Sequence, residues 1–209
     1  MKKWLKVVLA VMLVGILGTG CNDEQKDQLQ EVSKYLKDAN NPVVQIQTSQ
    51  GDMFIELYEN DAPGSVGNFL AYVNDGFYTD TIFHRVIKGF MIQGGGFKAG
   101  LVPKFKGVRP AIHNEATNGL KNYTGTIAMA RTADVHSATS QFFINVVDNG
   151  HLDHQAATDA MYGYAVFGKV VYGMDVVSNI ENVSTHSVGA MRDVPREAIK
   201  IHRISIIRM

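Results

Sequence analysis

Residues 83–97 read Phe83-His84-Arg85-Val86-Ile87-Lys88-Gly89-Phe90-Met91-Ile92-Gln93-Gly94-Gly95-Gly96-Phe97. One arginine and one glutamine stand among large apolar residues, and a glycine run follows. Arg85, Met91 and Gln93 are odd-numbered. Strand side chains alternate with period two, so these three can share a face. Such a face is an apolar surface with one permanent positive charge at its edge. The glycine run could be read as a phosphate loop, but no Lys-Ser/Thr and no helical pattern follow it. A tight turn beside the strand is the expectation for Gly94-Gly95-Gly96.

The surrounding chain is 209 residues long, with Lys plus Arg and Asp plus Glu both 20 and a formal net charge of zero. That balance gives no argument for binding to nucleic acid or for steering toward another polyanion, and no nucleic-acid partner is expected. The length suits one domain with an N-terminal appendage. Short apolar stretches recur from Pro42 onward. Strands are expected at Val43–Thr48, Met53–Leu57, Thr81–Val86, Met91–Gln93, Gly125–Ala130, Gln141–Val146, Ala165–Val170 and Ile199–Ile207. Gln50-Gly51-Asp52 reads as the first hairpin turn. The apolar parity shifts between Ile201 and Ile204, which implies a bulge. A helix should begin near Pro63 with Asp61 as its cap, present Val66, Phe69, Leu70 and Val73 on one face, and close at Gly76. A second helix is expected at Met174–Ile180. Many short strands and two helices point to an all-β barrel or sandwich, and the pattern alone does not choose between them.

The N-terminus has its own logic. Met1 to Lys6 is basic, Val7 to Leu17 is an apolar run of 11 residues, and small residues lead to Cys21, the only cysteine. The run is shorter than the roughly 20 residues a spanning helix needs, so it reads as an export signal. The stretch before Cys21 resembles a bacterial lipoprotein cleavage site, although Gly18 stands where leucine is commonest. That resemblance implies a signal peptide over residues 1–20, an acylated Cys21 bearing chains such as palmitate, and a polar tether to residue 41. The domain of residues 42–209 would then sit lipid-anchored on the extracytoplasmic face of a bacterial membrane, in the cell envelope.

Two further segments join the first motif. Gly125-Thr126-Ile127-Ala128-Met129-Ala130-Arg131 precedes Ser137-Ala138-Thr139-Ser140-Gln141-Phe142-Phe143-Ile144-Asn145. His151-Leu152-Asp153 precedes Tyr164-Ala165-Val166-Phe167-Gly168-Lys169-Val170. In order and spacing the three resemble the cyclophilin family of peptidyl-prolyl cis-trans isomerases, the bacterial exported members above all, across residues 43–209. The resemblance implies a closed eight-stranded antiparallel barrel with a helix over each end. It implies rotamase activity on X-Pro bonds of proline-containing polypeptides, and assistance to the folding of exported proteins; the near-neutral charge and single domain suggest a monomer.

The chemistry needs few parts. Nitrogen donates its lone pair into the X-Pro carbonyl, and rotation must undo this against a barrier of about 20 kcal/mol. No bond breaks, so no nucleophile, metal or redox cofactor is required. A donor that bonds the prolyl nitrogen only in the twisted state lowers the barrier selectively. The resemblance gives the catalytic roles to Arg85, Gln93 and Phe90. It gives substrate binding to Met91, Ala130, Arg131, Phe143, Leu152, His151 and Tyr164, with His84 in support. A proline-peptide binding module with incidental catalysis is the competing reading, and Arg85 discriminates, because binding alone needs no transition-state donor. His151-Leu152-Asp153-His154 has metal-ligand residue types, but one loop supplies them all, so a surface role is expected. Ser137, Ser140 and His136 lack a Gly-x-Ser-x-Gly elbow and do not read as a hydrolase.

His151 stands where many family members carry Trp, and Tyr164 where many carry His. In the members that bind cyclosporin tightly, that Trp donates its indole N–H to the drug. Weak cyclosporin inhibition with isomerase activity intact is the expected outcome, and low-nanomolar potency in an inhibition titration would contradict it.

Overall fold

The computed structural model describes residues 30–209, so the expected export signal, Cys21 and the start of the polar segment lie outside the described residues. The strands are β1 (Val43–Thr48), β2 (Gly51–Leu57), β3 (Thr81–Ile87), β4 (Met91–Lys98), β5 (Val102–Pro103), β6 (Thr126–Met129), β7 (Phe142–Asn145), β8 (Val166–Tyr172), β9 (Thr185–Val188), β10 (Met191–Pro195) and β11 (Ile199–Arg208). The helices are α1 (Pro63–Asn74) and α2 (Met174–Glu181), with a further helical turn at residues 30–33.

The sheet runs β3-β11-β1-β2-β8-β6-β7-β4, and β4 pairs back onto β3. Every pairing is antiparallel. The result is the closed eight-stranded barrel that the resemblance implied. Closure leaves no free sheet edge among these eight strands, which removes the usual hazard of edge pairing. β5 extends β4, and β9–β10 forms a separate hairpin.

Alternation fills the barrel. Val44, Ile46, Met53, Ile55, Ile92, Ile127, Ile144 and Phe167 are all fully buried in one cluster. Phe69 and Tyr72 of α1, and Val177 and Ile180 of α2, join it. The α1 rings meet the barrel rings edge-on: Phe69 lies 5.6 Å from Phe142 at an interplanar angle of 85°. Each such side chain contributes roughly 1.5–3 kcal/mol by burial, and the edge geometry suits the ring quadrupoles.

Several local expectations are corrected. Ala62, not Asp61, is the N-cap of α1, and no local side chain caps it. Asp61 instead pairs with Lys37 at 2.7 Å. The cap comes from far along the chain, where Glu115 accepts from the Gly64 and Ser65 amides and from the Ser65 hydroxyl. This carboxylate also faces the positive end of the helix dipole. The first hairpin turns at Ser49-Gln50, one residue earlier than expected, because Thr48 pairs with Gly51. The β11 bulge is present: Arg203 pairs with Gln47 and Ile201 with Thr48, which leaves His202 as the extra residue. Gly94-Gly95-Gly96 lies inside β4 and makes no turn. The β9–β10 hairpin was not anticipated, since its residues are mostly polar and half-exposed.

The expected tether is docked over its later part. Val32 is buried against Val43 and Phe54 on the outside of the barrel. The buried Glu56 carboxylate accepts from the Lys37 and Asp38 amides and from Asn41 Nδ2, each at 2.8 Å. Arg208 donates to the carbonyls of Asn41 and Asp38. A buried carboxylate surrounded by donors orders the chain that supplies them. Leu36 packs against the same cluster, and the many charged residues of 22–41 hid the docking because Val32 and Leu36 stand scattered among them.

Candidate active site

Strand alternation would place Phe83 and Arg85 on the same face. They lie on opposite faces because β3 bulges between them. Phe83 pairs with Gly94 and Arg85 with Gln93, so His84 is an extra residue. Phe83 and Val86 therefore point into the barrel core, while the Arg85 side chain stays 42% exposed. Bulges re-aim side chains in this way. His84 is itself buried and packs against the Phe97 ring at 4.6 Å between centroids.

The register then assembles an outward face. Arg85 is opposite Gln93, Gln93 is opposite Phe143, and Phe143 is opposite Ala128. Met91, Ala128, Phe143 and Val166 form a small apolar cluster there, with Phe90, Leu152 and Tyr164 packed against it. It is separate from the barrel core. Over it lies a hollow of about 90 Å³ lined by Arg85, Phe90, Met91, Gln93, Ala130, Arg131, Phe143, Leu152 and Tyr164. Every residue expected at the site lines this hollow except two. His84 lies beneath it in the bulge, and His151 stacks on the outer side of Phe90 at 5.6 Å and 25°.

The two arginines have different duties. Arg131 donates to the carbonyls of Gly163, Thr132 and Asp159, and its guanidinium lies 4.7 Å from the Tyr164 ring centroid. It pins the 153–163 loop and has little left for a ligand. Arg85 makes one long hydrogen bond, from Nη1 to Gln93 Oε1 at 3.5 Å, and one loose ion pair with Asp193 at 3.9 Å. Most of its five N–H donors stay available. Arg85 is thus the cation that can act on a bound group.

The sequence reading missed Gln141. Its Oε1 accepts from Gln93 Nε2 at 2.9 Å, which fixes the Gln93 amide with its oxygen toward Arg85. The glycine run makes room for this chain of contacts. A Cβ at Gly96 would lie 2.6 Å from Gln141 Cδ, and one at Gly95 would lie 2.8 Å from the Ser140 carbonyl. Gly95 also has a φ of +85°, a region L side chains avoid. Three glycines beside a Gln-containing strand were the available signal.

A buried amide network holds the far lip. Asn149 Nδ2 donates to the Phe90 carbonyl and to Asn145 Oδ1, both at 2.8 Å. Asn145 Nδ2 donates to Asn122 Oδ1 and Thr126 Oγ1. Asn122 in turn donates to Asp153 Oδ1. Satisfied networks of this kind rigidify the loops they join. His154 shares a hydrogen bond with the Tyr162 carbonyl and meets the Tyr162 ring edge-on, so it serves packing within the loop.

Barrel and site together define a prolyl-isomerase fold with its pocket on the outer barrel wall. The family model described as cyclophilin type peptidyl-prolyl cis-trans isomerase/CLD matches residues 43–206. Peptidyl-prolyl cis-trans isomerase B of Escherichia coli strain K12 is 51% identical over 78% of this chain and 99% of its own length. A peptidyl-prolyl cis-trans isomerase of Acinetobacter baylyi is 54% identical over 79% of this chain and 86% of its own. Among solved structures, a Cryptosporidium parvum cyclophilin-type isomerase crystallised with the dipeptide Ala-Pro superimposes with a TM-score of 0.64 at 29% identity. It covers 80% of this chain and 99% of that one. The chain belongs to the cyclophilin-type peptidyl-prolyl cis-trans isomerase family, and it is an enzyme of that class.

His84 offers a test of this geometry. Burial lowers its pKa from 6.5 to about 4, the Arg85 charge adds to the effect, and a bond with the Ile82 backbone opposes it. Below pH 6.5 the unfolded chain takes up a proton that the folded one refuses. The stability from a neutral His84 is complete above pH 6.5 and is lost as pH falls toward 4, by about 3 kcal/mol at 1.36 per unit. Urea unfolding at pH 7.5 and 4.5 should show wild type losing about 2–3 kcal/mol more than His84→Gln. Equal losses would contradict the assignment.

Proposed function

We propose that the protein speeds cis–trans exchange of X-Pro bonds in exported polypeptides from a lipid anchor at Cys21. The proline ring enters the hollow against Phe90, Met91, Phe143 and Leu152, where burying it supplies on the order of 1–2 kcal/mol. Ala130 and Arg131 line the approach for the residue before proline. As the amide twists, the prolyl nitrogen regains its lone pair and becomes an acceptor. Arg85 donates to it then and not before, so the interaction stabilises the transition state selectively. Gln93, aligned by Gln141, steadies the guanidinium and can bond the substrate backbone. Millisecond turnover requires roughly 6 kcal/mol off the barrier, which a positioned cation and an apolar clamp can supply together.

The observation that carries this reading is the Arg85 guanidinium, held loosely by Gln93 beside an apolar hollow, while most of the Arg131 donors are taken by loop carbonyls. Isomerisation of an X-Pro tetrapeptide by the full chain is the test. Arg85→Ala should lower kcat/KM by about 10²–10³-fold, as losing one transition-state donor does elsewhere, with the unfolding midpoint unchanged. Full activity in that folded variant would remove Arg85 from the mechanism, and no activity in folded wild type would favour the binding-module reading.

The anchor rests on the basic leader, the apolar run and the solitary Cys21. Among the described residues no helix is long and apolar enough to cross a membrane. Cells fed labelled palmitate should incorporate label into the wild-type protein and not into Cys21→Ser, with the variant released from the membrane fraction. Labelling of both, or of neither, would refute acylation at Cys21.

A further inference from the structure

The β9–β10 hairpin lies outside the barrel, yet it reaches the active site at one point. Met191 pairs with Val188 and Val194 with His186, so Arg192 and Asp193 together oppose the single Ser187. This is another bulge, and its strand packs beside β3. Asp193 sits in it with a φ of +59°. Non-glycine residues enter the left-handed region at a cost, and such outliers gather at functional sites. The bulge turns the Asp193 carboxylate toward β3, where its Oδ2 lies 3.9 Å from Arg85 Nε.

We infer that Asp193 is a positioning residue for Arg85, gripping the Nε edge of the guanidinium while Gln93 holds the Nη1 edge. This rests on the assignment of Arg85 as the donor. The guanidinium is planar, so contacts at two of its edges bias its orientation and leave the remaining N–H groups free to act at the hollow that Arg85 lines. Neither contact is short: Gln93 stands at 3.5 Å and Asp193 at 3.9 Å. A loose two-sided hold lets the side chain advance onto the prolyl nitrogen as the amide twists, without first breaking a strong bond. The negative charge also offsets the cation in the empty site.

Asp193→Asn keeps size and tolerates a positive φ, so it isolates the charge. Asp193→Gly relaxes the backbone and tests whether the bulge itself matters. With the same tetrapeptide, both variants should lower kcat by about 3–10-fold, with KM changed less than twofold and thermal stability at or above wild type. The Arg85 Nε–H resonance in 15N spectra should shift and broaden in both. In an Arg85→Lys background the Asp193→Asn effect should shrink to less than twofold, because the residue acts through the guanidinium. Unchanged kcat with an unmoved Arg85 resonance would overturn the inference, as would an undiminished loss in the Arg85→Lys background. If Arg85→Ala is inactive while Asp193→Asn is fully active, the donor reading stands and only the positioning role falls. Should Asp193→Gly unfold, the Arg85 resonance and kinetics of Asp193→Asn still decide.

Discussion

One strand must serve two compartments. Phe83 has to fill the barrel, and Arg85, two residues later, has to leave it. Regular alternation forbids both, and the extra residue at His84 resolves the conflict. The rest of the site follows from that break. Gly94 leaves room for the distorted partner strand, since a Cβ there would press on Phe83, and Gly95 leaves room for the Ser140 carbonyl on the other side. Gly96 admits Gln141, Gln141 orients Gln93, and Gln93 touches Arg85. A buried neutral histidine beneath a cation is the consequence, and its low pKa reports that burial.

The barrel wall separates what stabilises the protein from what binds a ligand. Ile92, Ile127 and Ile144 face inward, and Met91, Ala128 and Phe143 face outward on the same three strands. Pocket residues on paired strands inherit the rigidity of the ladder, which suits a site that must present one donor at one place. The lip, built from loops, is secured by polar means: the Asn122–Asn145–Asn149 network below, and Arg131 across the 153–163 loop.

Much of this was legible in the sequence, for definable reasons. Strand periods and turn residues located all eight barrel strands and both helices, and the parity shift in β11 marked its bulge. Closure of the barrel and the membership of the pocket came from the resemblance, since residues as distant as Phe90 and Tyr164 share no local pattern. The sequence misled where a partner from far along the chain decides local structure. Glu115 caps α1 from 50 residues away, and Glu56 orders a segment whose composition reads as a free tether. The glycine run looked like a turn because only the paired strand reveals what it must avoid. Asp193 was invisible for the same reason, as a positive φ in a bulged hairpin leaves no periodic trace.

The central claim is that Arg85 acts on the twisted amide and not on the resting one. NMR exchange spectroscopy on a proline peptide measures binding and exchange in a single sample. In Arg85→Ala the dissociation constant should stay within about threefold of wild type while the enzyme-bound exchange rate falls by two orders of magnitude, the signature of an interaction made only in the transition state. Weakened binding with an unaltered exchange rate on the enzyme would show Arg85 to be a ground-state contact and would contradict the account.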